Sequence, residues 1–453
     1  MIVLKFGGTS VQDATTMEQA IAIVKSKLSS RPIVVASAMG QITDTLIQIA
    51  RLAREGSEVQ AQKLVDDVIR KRHEEAIIQL IHEGARLKIT QDALAKYLDE
   101  IRALVRGLAI LGELSPRSFD AMASYGERLS TLILSAAMQE HGLKAELIDV
   151  RQVIITDDNH TKATPLMDIS KVRAKQILLP IVEKEVVPVT QGFIGSTRDG
   201  VTTTLGRGGS DYSAAVIGAL LDVEVIEIWT DVDGILTADP KLVPQARLLE
   251  TVTFQEASEL AYFGAKVLHP STILPAVEKN IPVHVYNTKR PDSTGTSIVS
   301  RQKVKAEPGH IKSIAYKNGI TAINVYSTRM LLAHGFLKSI FEVFDKYETS
   351  VDLVSTSEVN VSLTIDDTHQ LVAIVDELRK FSTVTVEENK AIICLVGEQM
   401  RYAPGIAAKI FGAIREVNVN MISQGASEIN LSFIVNEADV PTVVRRLHHE
   451  FFE

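Results

Sequence analysis

The stretch Thr202-Thr-Thr-Leu-Gly-Arg-Gly-Gly-Ser-Asp-Tyr-Ser213 decides how the fold is read. Three β-branched residues end a strand. Gly206, Gly208 and Gly209 then allow a turn with positive φ, and Ser210 and Asp211 suit the first turn of a helix. The apolar residues 214–221 continue that helix. Glycines ahead of a helix N-terminus offer bare N–H groups to an anion. Arg207 adds a planar fork for carboxylate or phosphate, and Asp211 adds an acid in the same turn. Taken alone, the stretch reads equally well as a Gly-rich connection with an Asp cap.

The same pattern opens the chain. Ile2-Val-Leu-Lys-Phe6 reads as a buried strand broken by Gly7-Gly-Thr-Ser10, and an amphipathic helix follows over about 13–28. Lys5 sits just before the turn, where its ammonium either bridges phosphate oxygens or faces solvent at a strand end. The spacing of a Walker A loop is absent. A second unit has its strand at 32–36, its turn at 37–41 and a helix starting at 42. Ser37 and Thr43 offer hydroxyls to a small ligand there, or Thr43 simply caps its helix.

Residues 43–112 are helical in pattern, and His73 and His82 among them read as surface histidines. A further helix covers about 117–141. Gly126 inside it costs about 1 kcal/mol against Ala, which implies close approach by a neighbour or ligand. Glu127 either receives an ammonium group or pairs with Arg128 at the surface. Strands are expected at 147–150, 153–156, 186–193 and 225–232, with a hairpin turn at 198–201. Thr230 and Asp231 end the last of these, and ligands of open α/β sheets sit at strand ends. A helix over 254–263 stops at Gly264. Lys266 beyond it is either a phosphate ligand or a solvated helix cap.

Composition bounds the function. The chain has 453 residues, enough for two to four domains, and its net charge of −8 argues against general binding to nucleic acid or an anionic membrane. Cys394 is the single cysteine; flanked by Ile and Val it reads as a buried strand residue, and no internal disulfide is possible. No apolar run is long enough to span a bilayer, and Met1-Ile-Val-Leu4 reads as a strand with no signal peptide. A cytoplasmic location is expected. From about 300 the texture changes to a linker and then a repeat with an offset of 70 residues: Gly335-Phe-Leu-Lys-Ser-Ile-Phe341 matches Gly405-Ile-Ala-Ala-Lys-Ile-Phe411, and Ser357-Glu-Val-Asn-Val-Ser-Leu363 matches Ser427-Glu-Ile-Asn-Leu-Ser-Phe433. Each copy reads as a ferredoxin-like unit without a catalytic constellation, which points to binding or assembly.

Lys5-Phe-Gly-Gly-Thr-Ser-Val11, Gly126-Glu-Arg-Leu129, Thr204-Leu-Gly-Arg-Gly-Gly-Ser-Asp211, Trp229-Thr-Asp231 and Phe263-Gly-Ala-Lys-Val-Leu-His-Pro270 occur in that order. As a set they resemble the monofunctional aspartate kinases of the amino-acid kinase superfamily, and the C-terminal repeat resembles that family's paired ACT domains. The resemblance implies an α/β/α sandwich over 1–298 with a helical insertion at about 43–112. A linker or first strand at 299–312 would follow, then ACT-like domains at 313–388 and 389–453. It implies ATP-dependent phosphorylation of the β-carboxylate of L-aspartate, giving 4-phospho-L-aspartate, the first step towards lysine, threonine and methionine.

The same resemblance implies site roles. Lys5, Gly7, Gly8 and Lys266 would hold the ATP phosphates, Phe6, Ser10 and Val267 would also belong to the ATP site, and Thr230, Asp231, Leu236 and Lys241 would line the nucleotide site. Leu236 stands where an aromatic is usual and Lys241 where Arg is usual. Arg207 would clamp the α-carboxylate of aspartate beside Gly208, Gly209 and Ser210. Glu127 would take the ammonium, Ser37 and Thr43 would add hydrogen bonds, and Asp211 would organise Lys5 and the reacting phosphoryl group. Mg2+ is implied as a cofactor without identified protein ligands. Since a carboxylate is already a nucleophile, catalysis would rest on positioning and charge neutralisation.

For regulation the resemblance implies a homodimer or larger assembly through the ACT units. It also implies an amino-acid effector site at Met330, Gly335, Phe336, Leu337, Val351, Asp352, Ser357 and Glu358. Lysine is the favoured effector, although Ala333 stands where a hydroxyl is often found, and threonine is the runner-up. Two other readings stay open: a glutamate or acetylglutamate kinase of the same fold, and a catalytically dead amino-acid sensor.

Overall fold

A computed structural model of the chain describes residues 1–82, 84–264, 268, 270–301, 309–327 and 334–453. The described residues form two compact units. The first comprises Met1–Gly234, Glu250–Phe254 and Val267–Lys303; the second comprises Ile235–Leu249, Gln255–Lys266 and Val304–Glu453.

Ten strands belong to the first unit: β1 (Ile2–Phe6), β2 (Pro32–Ala36), β3 (Ala145–Ile148), β4 (Val187–Gln191), β5 (Ile194–Ser196), β6 (Thr202–Thr204), β7 (Val225–Thr230), β8 (Thr251–Thr253), β9 (Val283–Asn287) and β10 (Thr296–Val299). Eight form one sheet in the order β3-β4-β2-β1-β7-β9-β10-β8, while β5 and β6 make the hairpin expected around residues 198–201. All pairings in the large sheet are parallel except β9 with β10. Strands buried on both faces need near-continuous apolar runs, and β1 and β2 are buried along their full length. Lys5 is the exception in β1. Phe6 lies opposite Ala36 and Trp229, and Ala36 lies opposite Gln191. The C-terminal ends of β1, β2, β4 and β7 are therefore level, and the segments that follow them leave from the same edge of the sheet.

Three sequence readings change here. Residues 153–156 are not a strand: Val150–Gln152 is a 3-10 turn, and only isolated bridges, Ile155 to Ser196 and Thr156 to Pro165, follow. The helix expected over 117–141 is two, Pro116–Ala123 and Tyr125–Glu140, joined at Ser124. His73 is wholly buried, with Nδ1 2.6 Å from the Ile69 carbonyl, and burial pushes its pKa down to about 4. Its charged sequence neighbours occupy other faces of the helix Lys71–Leu80. His82 is exposed, as expected.

The second unit holds one antiparallel sheet of β11 (Ile311–Tyr326), β12 (Val354–Thr356), β13 (Asn360–Ile365), β14 (Thr383–Gly397), β15 (Met421–Gln424) and β16 (Asn430–Asn436). The order is β12-β13-β11-β14-β16-β15. The 70-residue offset has a structural counterpart: Gly335 and Gly405 cap the helices Phe336–Lys346 and Ile406–Ala413 with φ of 85° and 78°. β11 and β14 run through both repeats. Ile311–Lys317 pair with Ile392–Gly397 beside β16, whereas Thr321–Tyr326 pair with β13 and with the start of β14. Cys394 is buried in this sheet, and burial raises its thiol pKa far above the usual value, which leaves it unreactive. Among the described residues no helix is long and apolar enough to cross a membrane.

Phe433 is fully buried in the core of the second repeat with Leu431, Val435 and Leu447. Phe433→Ala is expected to destabilise the second unit by about 3–5 kcal/mol. The check is a lower urea midpoint for the transition that reports this unit.

Candidate active site

A cleft of about 380 Å³ opens where β1, β2 and β4 end. Lys5 forms its floor. The side chain is nearly buried, and Nζ lies 2.7 Å from Asp211 Oδ1. Asp211 stands in the first turn of the helix Gly209–Leu221, whose N-cap is Gly208. Gly206 and Gly208 have φ of 78° and 69°, the left-handed region that other residues avoid. Gly209 serves a different need: a Cβ there would meet the Phe193 ring at 2.6 Å. The glycines thus let the turn fold tightly against the end of β4 and aim the helix N-terminus into the cleft. Arg207 projects from the tip of this turn, exposed and without an ion-pair partner among the described residues.

The opposite wall is the loop 37–41, Thr43 and Glu127. Ser37 is fixed through its backbone, donating its N–H to the Phe6 carbonyl at 3.0 Å and accepting the Ser130 hydroxyl at 2.6 Å. Gln41, with φ of 68°, occupies the N-cap of Ile42–Arg54, so Thr43 lies inside the first turn and does not cap it. Gly126 fits the expectation of a close approach: a Cβ would lie 2.8 Å from the Ala38 Cβ and 3.2 Å from Thr43 Oγ1. That contact brings Glu127 into the cleft. Glu127 is 3% exposed, Oε1 accepts the Ala38 N–H at 3.2 Å, and Oε2 is buried without a partner. Burial pushes its pKa up to about 8. It is not paired with Arg128, whose guanidinium meets Glu100. A neutral, half-satisfied carboxyl group at the back of a cleft suits a ligand cation that restores its charge.

The remaining expected residues are more dispersed. Gly8 lines the cleft, with its Cα facing the Ala38 carbonyl, while Gly7 donates its N–H to the Trp229 carbonyl at 3.0 Å. The Phe6 side chain is buried and stacks on Trp229. Ser10 is buried too: its hydroxyl donates to the Trp229 carbonyl at 3.1 Å and lies 2.7 Å from Thr288 Oγ1. These groups tie β1 to β7. Thr230 and Asp231 stand at the end of β7, joined by a hydroxyl-to-carboxylate hydrogen bond of 3.2 Å. Leu236 and Lys241 fold with the second unit, where the Leu236 carbonyl accepts the Ser313 hydroxyl and Lys241 donates its N–H to Asp239. Lys266 and Val267 lie outside the described residues. Sequence reading passed over Phe193, which lines the cleft with φ of 68°; its signal was the Gln191-Gly-Phe193 step at a strand end.

Of the expected effector residues, Met330 lies outside the described residues. Gly335, Leu337, Ser357 and Glu358 are exposed, and Phe336 and Val351 are half-buried. Asp352 is engaged within the second unit. Its Oδ1 accepts the Tyr262 hydroxyl at 2.8 Å and meets Lys317 Nζ at 3.0 Å, whereas Oδ2 is buried without a partner.

Residues 1–287 match the amino acid kinase family, and residues 393–451 match the ACT domain. The lysine-sensitive aspartokinase 3 of Escherichia coli is 37% identical, over 100% of this chain and 99% of that one. The chain belongs to the aspartokinase family. Aspartokinase III of E. coli, solved with aspartate and ADP in an R-state, superposes with a TM-score of 0.85 at 36% identity, covering all of both chains. The same enzyme with lysine and aspartate in a T-state gives 0.83, again at 36% identity and over all of both chains. As an aspartokinase this chain is an aspartate-phosphorylating enzyme with a regulatory ACT region, and the glutamate kinase and dead-sensor readings fall away.

Glu127 predicts a pH dependence for this aspartokinase. Between its usual 4.5 and about 8, the folded protein holds the proton and the unfolded chain does not. Stability contributed by the neutral carboxyl is therefore present below pH ~4.5 and declines by up to a few kcal/mol as pH rises to ~8. Glu127→Gln removes the proton and should flatten this decline, measured as denaturation midpoints of both proteins from pH 5 to 8.

Proposed function

We propose that the cleft binds aspartate between Arg207 and Glu127 and transfers the γ-phosphoryl group of ATP to the β-carboxylate. The observation that carries this reading is the convergence of the Lys5–Asp211 pair and the orphaned Glu127 oxygen in one cleft. Glu127 takes the substrate ammonium and becomes charged in doing so. Arg207 clamps the α-carboxylate, with Gly208, Gly209 and Ser210 offering the helix N-terminus, and Ser37 and Thr43 complete the hydrogen bonding. Two amino-acid ends fixed this way leave the β-carboxylate directed at Lys5.

Lys5 neutralises the phosphoryl oxygens, and Asp211 holds its ammonium in place. Bringing one anion onto another is the difficulty, so a fixed cation in a nearly dry site lowers the barrier more than any base would. Gly7 and Gly8 give backbone approach to the phosphates, with Lys266 and Val267 completing their site. Thr230, Asp231, Leu236 and Lys241 would hold the rest of the nucleotide. Support for ATP comes from the ADP bound to E. coli aspartokinase III. Among the described residues no group of three His, Cys, Asp or Glu could hold a metal ion. Mg2+ would arrive on the nucleotide, since that ion is bound mainly by phosphates with one or two carboxylates, and Asp211 is the acid at hand. Its chemistry would be to shield phosphate charge.

For regulation, the E. coli enzyme solved with lysine in a T-state supports lysine as the effector. Asp352, with its unpaired Oδ2, would receive an effector ammonium, and Glu358 a second one. Among the described residues, β12 and β15 are the edge strands of the regulatory sheet, which supports assembly of two or more chains through it.

Lys5→Met is expected to lower kcat at least about 100-fold in a protein with an unchanged circular dichroism spectrum. Near-normal turnover would overturn the role of Lys5. Millimolar lysine is expected to inhibit the wild-type enzyme, with a coupling of about 1–3 kcal/mol between effector and substrate sites. Asp352→Ala should raise the half-inhibitory concentration by about tenfold or more. Initial rates with lysine and with threonine decide this, and indifference to both would remove the effector reading.

A further inference from the structure

Thr204, the last residue of β6, donates its hydroxyl to Asp120 Oδ1 at 2.6 Å. Asp120 is fully buried on the helix Pro116–Ala123 and does not line the cleft. Its two oxygens also accept the Thr161 N–H at 3.1 and 3.0 Å, and Oδ2 lies 2.8 Å from His160 Nδ1. A carboxylate removed from water is costly unless donors surround it, and breaking such a set is far worse than never building it. Here the donors come from two segments that share no regular element, the loop around 160–161 and the end of β6.

The consequence lies one turn further along the chain. Thr161 has φ of 71°, a conformation that a β-branched residue avoids, and its N–H bonds to Asp120 hold it there. Ala163 donates its N–H to the Thr204 carbonyl at 2.9 Å, which fastens the loop to the strand a second time. The Thr161 carbonyl then backs Gly206, lying 3.3 Å from where a Cβ would stand. Gly206 is followed by Arg207. Because Arg207 is exposed and has no ion-pair partner among the described residues, its guanidinium is placed by the backbone of this turn alone.

We infer that Asp120 is a positioning residue for substrate recognition: by clamping residues 160–163 to Thr204, it fixes the turn that presents Arg207. The inference rests on the reading of Arg207 as the clamp for the α-carboxylate of aspartate. A turn freed from this anchor must be ordered again by each substrate molecule, at a cost in affinity.

The test is a kinetic cycle of wild type, Asp120→Ala, Arg207→Ala and the double variant, with KM for aspartate, KM for ATP and kcat measured for each. Arg207→Ala should raise KM for aspartate. Asp120→Ala should raise it about tenfold while KM for ATP stays within about twofold, and in the Arg207→Ala background it should add less than about twofold. Asp120→Asn, which can still accept from Thr161 and Thr204, should recover most of the loss. Should Asp120→Ala fail to fold, Thr204→Val takes its place in the cycle, because it deletes one donor and keeps a β-branched strand residue. Multiplicative effects in the double variant, or equal rises in both KM values, overturn the inference while leaving Arg207 as the clamp. An unchanged KM in Arg207→Ala overturns the assignment of Arg207 itself, and this inference with it.

Discussion

A lysine ammonium held almost out of water at the end of the central strand sets the terms for the catalytic unit. Lys5 has Asp211 2.7 Å away, and Asp211 stands there because a helix begins at that point. An uncompensated buried charge would cost several kcal/mol, so the pair constrains both of its carriers. β1 must end level with its neighbours, and the turn before the helix must be tight enough to bring a carboxylate over the strand. The glycines of 206–209, the close packing of Phe193 and the parallel register of β1 with β2 and β7 all serve that single distance. Held almost out of water, a charge acts on its neighbours more strongly than it would in solvent.

Much of this was legible in the sequence because its signals are local. Strand–glycine–helix steps at 2–13 and 202–213 announce themselves through residue types that few other conformations require. The offset of 70 residues identified the repeat, and Gly335 and Gly405 do share one backbone conformation. Gly126 within a helical pattern implied close packing, and the Ala38 contact supplies it. What sequence could not supply was burial decided at a distance. His73 sits among charged neighbours, yet its own face of the helix is inside. Residues 153–156 are β-branched, yet the N–H groups of Val153 and Ile154 turn back to the Val150 carbonyl, that of Ile155 goes to the Ser170 hydroxyl and that of Thr156 to the Ser196 carbonyl, so no ladder forms. Ser10 has the composition of a phosphate loop but spends its hydroxyl on Trp229 and Thr288, more than 200 residues away. Such partners are set by topology, and a linear pattern does not encode them.

The catalytic unit contrasts two kinds of carboxylate. Asp211 is paired with a cation, and Asp120 is met by a ring of neutral or weakly basic donors. Glu127 is left with one oxygen unmatched, and burial keeps it protonated near neutral pH. Under the proposed reading, completion of that group by a substrate ammonium would be a source of selectivity, because a ligand lacking one would leave the penalty in place.

The two long strands of the regulatory sheet have a consequence for how that half of the molecule can be divided. β11 and β14 each supply one part of their length to the first repeat and the other part to the second. A cut between the repeats, at any residue, would sever a strand or strip one repeat of its central partner. The pair could therefore be grafted onto another enzyme only as one piece. A displacement along β11 at one repeat is also a shift of register at the other, like a bolt sliding through two housings.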